Sequence, residues 1–431
     1  MSSRFEKRHS PYQDRGKLQI SYVPDTLVGR ENELDAYENA LYPIFEGEEP
    51  NNIFLYGKTG VGKTAAARYL LRELKNTLEN DPDIAHSLNS VYVNCEGLRS
   101  SYRVAVALLN ETRTHEHQIN ESGYSTSEIY HKLWAELDPT QDTPSNTALL
   151  SPTDPDTDTH PGETTIVILD EIDHIQDGED SILYQLSRAK EIGNVHPVTK
   201  LGIVGISNDL TFTDRLSPKV RSSLCERRIS FPVYDATELN AVLSQRADLA
   251  FRDDAVDDGV VQLCAAYGAK QDGDARKAIK LLRESGDVAR ERDSDTVSEH
   301  HLEAARDRLQ VKELTQGVED MHEHDRHLLY AVATLAAEGN EYARTRDIYP
   351  RYERICELAA TDSFTMRSAQ SHLNDLRMLG YLNARERNEG SDGGKYRQYS
   401  LKHSLDVTLE ALSDTIDRVG IHPAIEGRFA E

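Results

Sequence analysis

An apolar run, Ile53-Phe54-Leu55-Tyr56, leads directly into Gly57-Lys58-Thr59-Gly60-Val61-Gly62-Lys63-Thr64, and an alanine-rich helical stretch follows. Strand, glycine loop and helix in that order are the setting a phosphate-binding loop requires. The glycines let backbone N–H groups turn inward around a polyphosphate, and the helix starting near Lys63 points its positive end at the same anion. Lys63 is placed to reach the β- and γ-phosphates, and the Thr64 hydroxyl to ligate Mg²⁺. A chain carrying this unit is expected to build a parallel α/β sheet around it.

A second signal lies 107 residues beyond Lys63. Thr165-Ile166-Val167-Ile168-Leu169 is a continuous apolar run that ends in Asp170-Glu171. This reads as a central parallel strand with acids at its carboxyl end, where ligands bind in open α/β sheets. Asp170 would orient Mg²⁺, and Glu171 would polarise a water attacking the γ-phosphate. A third buried strand, Leu201 to Ser207, ends at Asn208, which is placed to hold that water beside Glu171. Ser90 to Cys95 reads as a further strand, with helical segments at 101–113 and 125–137 and a short strand over 228–231. Residues 139–162 hold five prolines among Thr, Ser and Asp with no Lys or Arg. Such a composition cannot bury a core, so a solvated, disordered insertion is expected there.

From Asp235 the pattern is helical. Gly273-Asp274-Ala275-Arg276 opens one helix, and a cation at Arg276 opposes that helix's dipole unless a phosphate compensates it. After a charged connector helix over 298–312, helices begin near Leu328, at 347–359 and at 365–376. Two strands, 381–387 and 395–401, follow around a Gly- and Asn-rich loop. Three helices and a hairpin form a winged-helix pattern. Residues 362–402 carry seven basic and five acidic side chains, a local reversal in a chain of net charge −25. Arg367, Ser368, Gln370 and Ser371 on the third helix, and Lys395 and Arg397 on the wing, are the candidate DNA contacts.

The overall acidity, 74 acidic against 49 basic residues, is spread along the chain rather than gathered in a tail. With abundant Asp and scarce Lys, it fits a protein adapted to a salty cytoplasm. Residues 1–20 reverse the sign, with five basic and two acidic residues, and suggest a flexible arm. Cys95, Cys225, Cys264 and Cys356 form no C-x-x-C pair, so neither a zinc site nor a disulfide framework is expected. No stretch approaches the roughly 18 apolar residues of a membrane span. A cytoplasmic, nucleoid-associated protein without membrane contact is the expectation.

Together these residues resemble an archaeal origin-recognition initiator of the AAA+ class, and the acidity suggests a haloarchaeal member. The resemblance rests on Val28-Gly29-Arg30-Glu31, the loop 57–64, Asp170-Glu171, and Asn208 as a first sensor. It rests also on the stretch Arg221 to Ala236 and on Gly273-Asp274-Ala275-Arg276, with Arg276 as a second sensor. It implies an α/β AAA+ ATPase, with a parallel-sheet base and helical lid, followed by a C-terminal winged-helix domain. The expected boundaries are an arm over 1–16, a base over 17–234, a lid over 235–313, a winged helix over 318–415 and a tail over 416–431. ATP or ADP with Mg²⁺ would be held by Val28, Arg30, Gly57, Gly60, Val61, Gly62, Lys63, Thr64, Ala65, Tyr234, Arg246 and Arg276. Lys63, Asp170, Glu171, Asn208 and Arg276 would carry hydrolysis, with Thr64 and Asp170 on the metal.

The implied function is ATP-dependent replication initiation: binding double-stranded origin DNA, self-associating on it, and recruiting or loading the replicative helicase. Many relatives that hydrolyse ATP between subunits carry Arg where Ser223 stands here, and Arg221 is two positions away. Slow hydrolysis, with ATP marking a state, is therefore expected. The alternative is an ATP-gated winged-helix regulator, either a transcriptional paralogue or a protein-binding signalling switch.

Overall fold

The computed structural model describes residues 9–84, 86–120, 122–138, 163–175, 181–224, 226–388, 395–423 and 425. The expected insertion, 139–162, lies outside them. The described residues fall into two units. The first runs to Arg283 and takes in Ser294–Val297; the second covers Glu284–Asp293 and the chain from Ser298 onward.

In the first unit, helix α1 (Glu31–Phe45) precedes strand β1 (Ile53–Tyr56), helix α2 (Lys63–Asn80), strand β2 (Ser87–Asn94) and helices α3 (Ser101–Glu111) and α4 (Thr126–Leu137). Strand β3 (Glu163–Asp170) follows, then short helices α5 (Ile182–Ser187) and α6 (Ala189–Ile192), and strand β4 (Lys200–Ser207). Short helices α7 (Phe212–Arg215) and α8 (Pro218–Leu224) lead to strand β5 (Arg227–Ser230). The five strands are parallel and ordered β2-β3-β4-β1-β5. Strand residues alternate between two apolar layers, as a period of two demands. Phe54, Val167, Leu169 and Ile203 pack with Val104, Leu108, Leu133 and Trp134 on one face. Ile53, Leu55, Ile166, Ile168 and Val204 pack with Tyr37, Ile44, Ala66 and Leu71 on the other. Covering both faces explains why the central strands read as unbroken apolar runs. Strand β2 starts three residues earlier than its apolar pattern predicts, because Ser87 and Asn89 contribute backbone pairing to β3 without apolar side chains.

Helices α9 (Ala236–Ala250), α10 (Asp258–Lys270) and α11 (Ala275–Glu291) come next. A reciprocal cap starts α9: Asp235 accepts from the Glu238 N–H at 2.8 Å, and Glu238 accepts from the Asp235 N–H at 2.9 Å. Residues 9–16 are not the free arm expected from charge. The Tyr12 ring stacks on Phe251 with centroids 4.8 Å apart, and its hydroxyl donates to the Arg283 carbonyl at 2.6 Å. The Gln13 and Asp14 N–H groups both donate to the Ala250 carbonyl. One aromatic pair and satisfied carbonyls at the end of α9 outweigh the local charge in placing this segment.

The second unit contains helices α12 (Glu299–Glu319), α13 (Glu323–Ala337), α14 (Thr345–Leu358) and α15 (Met366–Met378). Strands β6 (Ala343–Arg344), β7 (Leu382–Asn388) and β8 (Lys395–Leu401) form an antiparallel sheet ordered β6-β8-β7. The two-residue β6 is too short to show a sequence pattern and was not expected. Leu314 and Val318 of α12 join Leu328, Tyr352, Leu373, Leu376 and Tyr399 in one core. This is why α12 continues beyond 312.

Candidate functional site

The loop between β1 and α2 takes backbone angles that side chains resist. Gly60 and Gly62 have φ of 79° and 94°. A Cβ on Gly62 would stand 2.7 Å from the Tyr234 hydroxyl, and one on Gly60 would overlap the Asp274 carboxylate. The loop is therefore pressed against the start of the helical lid, and the Ala275 N–H donates to the Gly60 carbonyl at 3.1 Å. Between loop and lid lies a cavity of about 720 Å³, a volume suited to a nucleotide-sized ligand. It is lined by Gly60 to Ala65, Asp170, Glu171, Asn208, Tyr234, Arg246 and Arg276, together with Val28.

The Lys63 ammonium is buried and donates to the Gly57 and Lys58 carbonyls, each at 2.7 Å, and to Asn208 Oδ1 at 2.9 Å. Burial lowers its pKa to about 8, and the Arg276 charge pushes the same way while Asp170 opposes them. An added anion would relieve that strain. The Thr64 hydroxyl donates to Asp170 Oδ2 at 2.8 Å. That pair, side by side at the end of a strand and the start of a helix, offers the hard oxygen donors Mg²⁺ prefers.

Glu171 sits in the left-handed region at φ 54°, which turns it away from the strand line. Burial raises its pKa, and the charges of Glu96 and Asp170 add to the effect. Arg276 is exposed in the first turn of α11, whose opening N–H groups are capped by Asp274: Asp274 Oδ1 accepts from the Arg276 N–H at 2.8 Å.

Several expected ligands behave otherwise. Arg30 does not line the cavity. Its guanidinium is 1% exposed, lies 3.5 Å over the Tyr234 ring, and donates to the Val61 carbonyl at 3.0 Å and the Pro232 carbonyl at 2.7 Å. It locks the phosphate loop to the segment that enters the lid. Gly57 is likewise outside the lining; at φ 154°, it lets the chain pass close to the Phe231 carbonyl. Arg246 lines the cavity, but its nitrogens donate to the Lys17 and Tyr22 carbonyls at 2.9 and 2.8 Å. Ser223 shares a hydrogen bond with Ser187 at 2.9 Å, and Arg221 donates twice to the Thr213 carbonyl.

Other contributors escaped the sequence reading. Tyr92 donates to Asp170 Oδ2 at 2.9 Å and carries Arg68 over its ring. Asp173 accepts from the Ser207 hydroxyl at 2.9 Å and from the Asn208 N–H at 3.1 Å, fixing the end of β4. Arg15 and Gln19 line the cavity from the N-terminal segment. Nothing local in the sequence pointed to these residues.

In the second unit, Thr365 caps α15 by accepting from the Ser368 N–H. Arg367, Ser368, Gln370 and Ser371 are exposed on that helix. Arg397 is partly engaged within the domain: it donates to Asn374 Oδ1 on α15 and to Glu386 at 2.9 Å, tying the wing to the helix. The Lys395 side chain lies outside the description. No helix among the described residues is long and apolar enough to cross a membrane.

Comparison with known proteins agrees with this architecture. Residues 26–198 match the model of the AAA ATPase domain, residues 240–307 the Cdc6 AAA+ ATPase-type lid domain, and residues 316–411 the CDC6 C-terminal winged helix domain. ORC1-type DNA replication protein 11 of Haloarcula marismortui is 47% identical, over 98% of this chain and 95% of its own. ORC1-type DNA replication protein 10 of Halobacterium salinarum is 39% identical, over 96% and 94%. Among solved structures, that of the Aeropyrum pernix ORC1 protein in complex with DNA superposes with a TM-score of 0.67 at 32% identity, covering 94% of this chain and 97% of its own. The Aeropyrum pernix ORC2 protein (ADPNP-ADP complexes) shares the fold, with a TM-score of 0.56 at 21% identity over 94% and 98%. This chain therefore belongs to the Cdc6/ORC1-type family of AAA+ ATPases that carry a C-terminal winged-helix domain.

Proposed function

We propose that this protein is an ATP-switched replication initiator that binds duplex origin DNA through its winged helix and recruits the replicative helicase. The observation that carries the reading is one chain holding both a cavity that joins Lys63, Asp170 and Arg276 and a capped helix with Arg367, Ser368, Gln370 and Ser371 in solvent. The similarity to an ORC1 protein solved with DNA supports it.

The loop N–H groups and Lys63 would hold the β- and γ-phosphates, and Thr64 and Asp170 would hold Mg²⁺. The relief of Lys63's depressed pKa by an anion supports this fit. Bound ATP would supply the γ-phosphate that the exposed Arg276 can pair with, and that pairing would set the angle between lid and loop. Tyr234, pressed against Gly62, would pass the same state to the lid entrance. Glu171 would orient the attacking water. Ser223 and the engaged Arg221 offer no evident arginine finger to a neighbour, which favours slow hydrolysis.

In about molar salt the Debye length is about 3 Å, so phosphate attraction is nearly screened. Arg367, Gln370 and the exposed apolar Met366 would then have to read base edges in the major groove. Fluorescence anisotropy of the full chain on an origin-derived duplex tests the reading. Arg367→Ala should weaken binding, with a salt dependence flatter than counterion release alone would give. Binding unaffected by Arg367→Ala and Gln370→Ala would favour a winged helix that docks on protein.

A further inference from the structure

Within the winged-helix unit, two imidazoles and a thiol converge in the core. His324 and His327 stand one turn apart on α13, and Cys356 faces them from α14. One ligand atom from each lies within 4.8 Å of the other two. His327 is 2% exposed and Cys356 1%. Cys356 Sγ and His327 Nδ1 are 3.7 Å apart, close to the separation of about 3.6 Å that a nitrogen and a sulfur keep on one tetrahedral zinc ion. Around the trio, the Tyr352 hydroxyl bonds His324 Nδ1 at 2.8 Å and accepts from the Phe364 N–H at 3.0 Å. An Nδ1–H donated to that hydroxyl oxygen would leave the His324 Nε2 lone pair for a metal.

We propose that His324, His327 and Cys356 bind one divalent transition-metal ion, zinc by the chemistry of its donors, at the base of the winged helix. Two imidazoles and one thiolate leave a fourth position, which water fills. Binding forms the metal–sulfur bond and releases the thiol proton to solvent. The site escapes a search for paired cysteines because its donors come from two helices, His327 and Cys356 standing 29 positions apart in the chain. Phe364, whose ring lies 3.9 Å from His324, is the residue before the Thr365 cap of α15. The ion would therefore stiffen the entrance to the helix proposed to read DNA.

The test is a Co²⁺ titration of the full chain after chelator treatment, under thiol-free reductant. One equivalent of Co²⁺ should produce a thiolate-to-cobalt charge-transfer band with tetrahedral d–d absorption, and Zn²⁺ should abolish both. Cys356→Ser should remove the band, whereas Cys95→Ser, beside Asp170, and Cys264→Ser should keep it. His324→Gln, at a partly exposed position, covers the case in which Cys356→Ser fails to fold; its band should no longer saturate at one equivalent. Absence of the band in the wild type, its survival in Cys356→Ser, or its saturation at one equivalent in His324→Gln would overturn the proposal.

Discussion

Arg30→Met separates a structural arginine from a nucleotide ligand. The side chain is 1% exposed and donates to two carbonyls, Val61 at 3.0 Å and Pro232 at 2.7 Å. Methionine fills much of the volume but leaves both carbonyls unpaired, at about 1–3 kcal/mol each. The Tyr234 ring loses a stacked guanidinium worth about 1 kcal/mol. Against this, the mutant no longer desolvates a charge whose acidic neighbour, Glu33, stands 4.0 Å away. A net loss of about 3 kcal/mol remains, and at 2–4 °C per kcal/mol for a unit of this size the melting temperature should fall by about 6–12 °C. The assay is thermal unfolding of the full chain in molar KCl, with and without Mg-ATP. Because the loop would lose its brace, ATP affinity should weaken too, but only together with the thermal loss. Unchanged melting with abolished ATP binding would refute the reasoning and return Arg30 to direct contact with nucleotide.

Four further outcomes follow from the same geometry. Glu171→Gln should keep ATP affinity within about threefold while slowing hydrolysis by about 10²–10⁴-fold, measured by phosphate release under single turnover. Lys63, lowered to about 8 by burial, has an unfolded value of about 10.4. The folded chain thus binds fewer protons than the unfolded chain between those values, and this lysine's contribution makes stability rise with pH across that window. Phosphates beside Lys63 would raise its pKa again, so ATP binding near pH 8 should take up about half a proton, read by calorimetry in buffers of different ionisation enthalpy. Arg397→Ala should lower DNA affinity by loosening the wing from Asn374 while leaving the salt slope unchanged, whereas loss of a phosphate ligand would reduce that slope by about one.

What the sequence disclosed, and what it hid, divides along the range of the interactions. The phosphate loop, the strand ending at Asp170 and the start of α11 are set by residues that neighbour each other in the chain. Glycines at positive φ, an apolar run and a capping acid therefore announce them. Asn208 was legible for the same reason, as the polar end of a buried strand. The bracing contacts of Arg30 were hidden because its partners, Val61 and Pro232, are carbonyls, and a carbonyl has no sequence signature. Tyr92 and Asp173 support Asp170 and Asn208 from other segments, so only the folded sheet reveals them. Arg397 looked like a free wing cation, since Asn374 and Glu386 come near it only through the hairpin register and the packing of α15. Residues 9–16 were read from their charge, whereas the stacking of Tyr12 on Phe251 and hydrogen bonds to the Ala250 and Arg283 carbonyls decide where they lie.

The central claim is that nucleotide held by Lys63 licenses binding to replication origins. Chromatin immunoprecipitation with sequencing in the host, comparing wild type with Lys63→Ala at equal protein level, tests it most directly. The account predicts a few sharp peaks at replication start regions in the wild type and their loss in the mutant. Peaks scattered over promoters, or origin peaks that persist in Lys63→Ala, would contradict it.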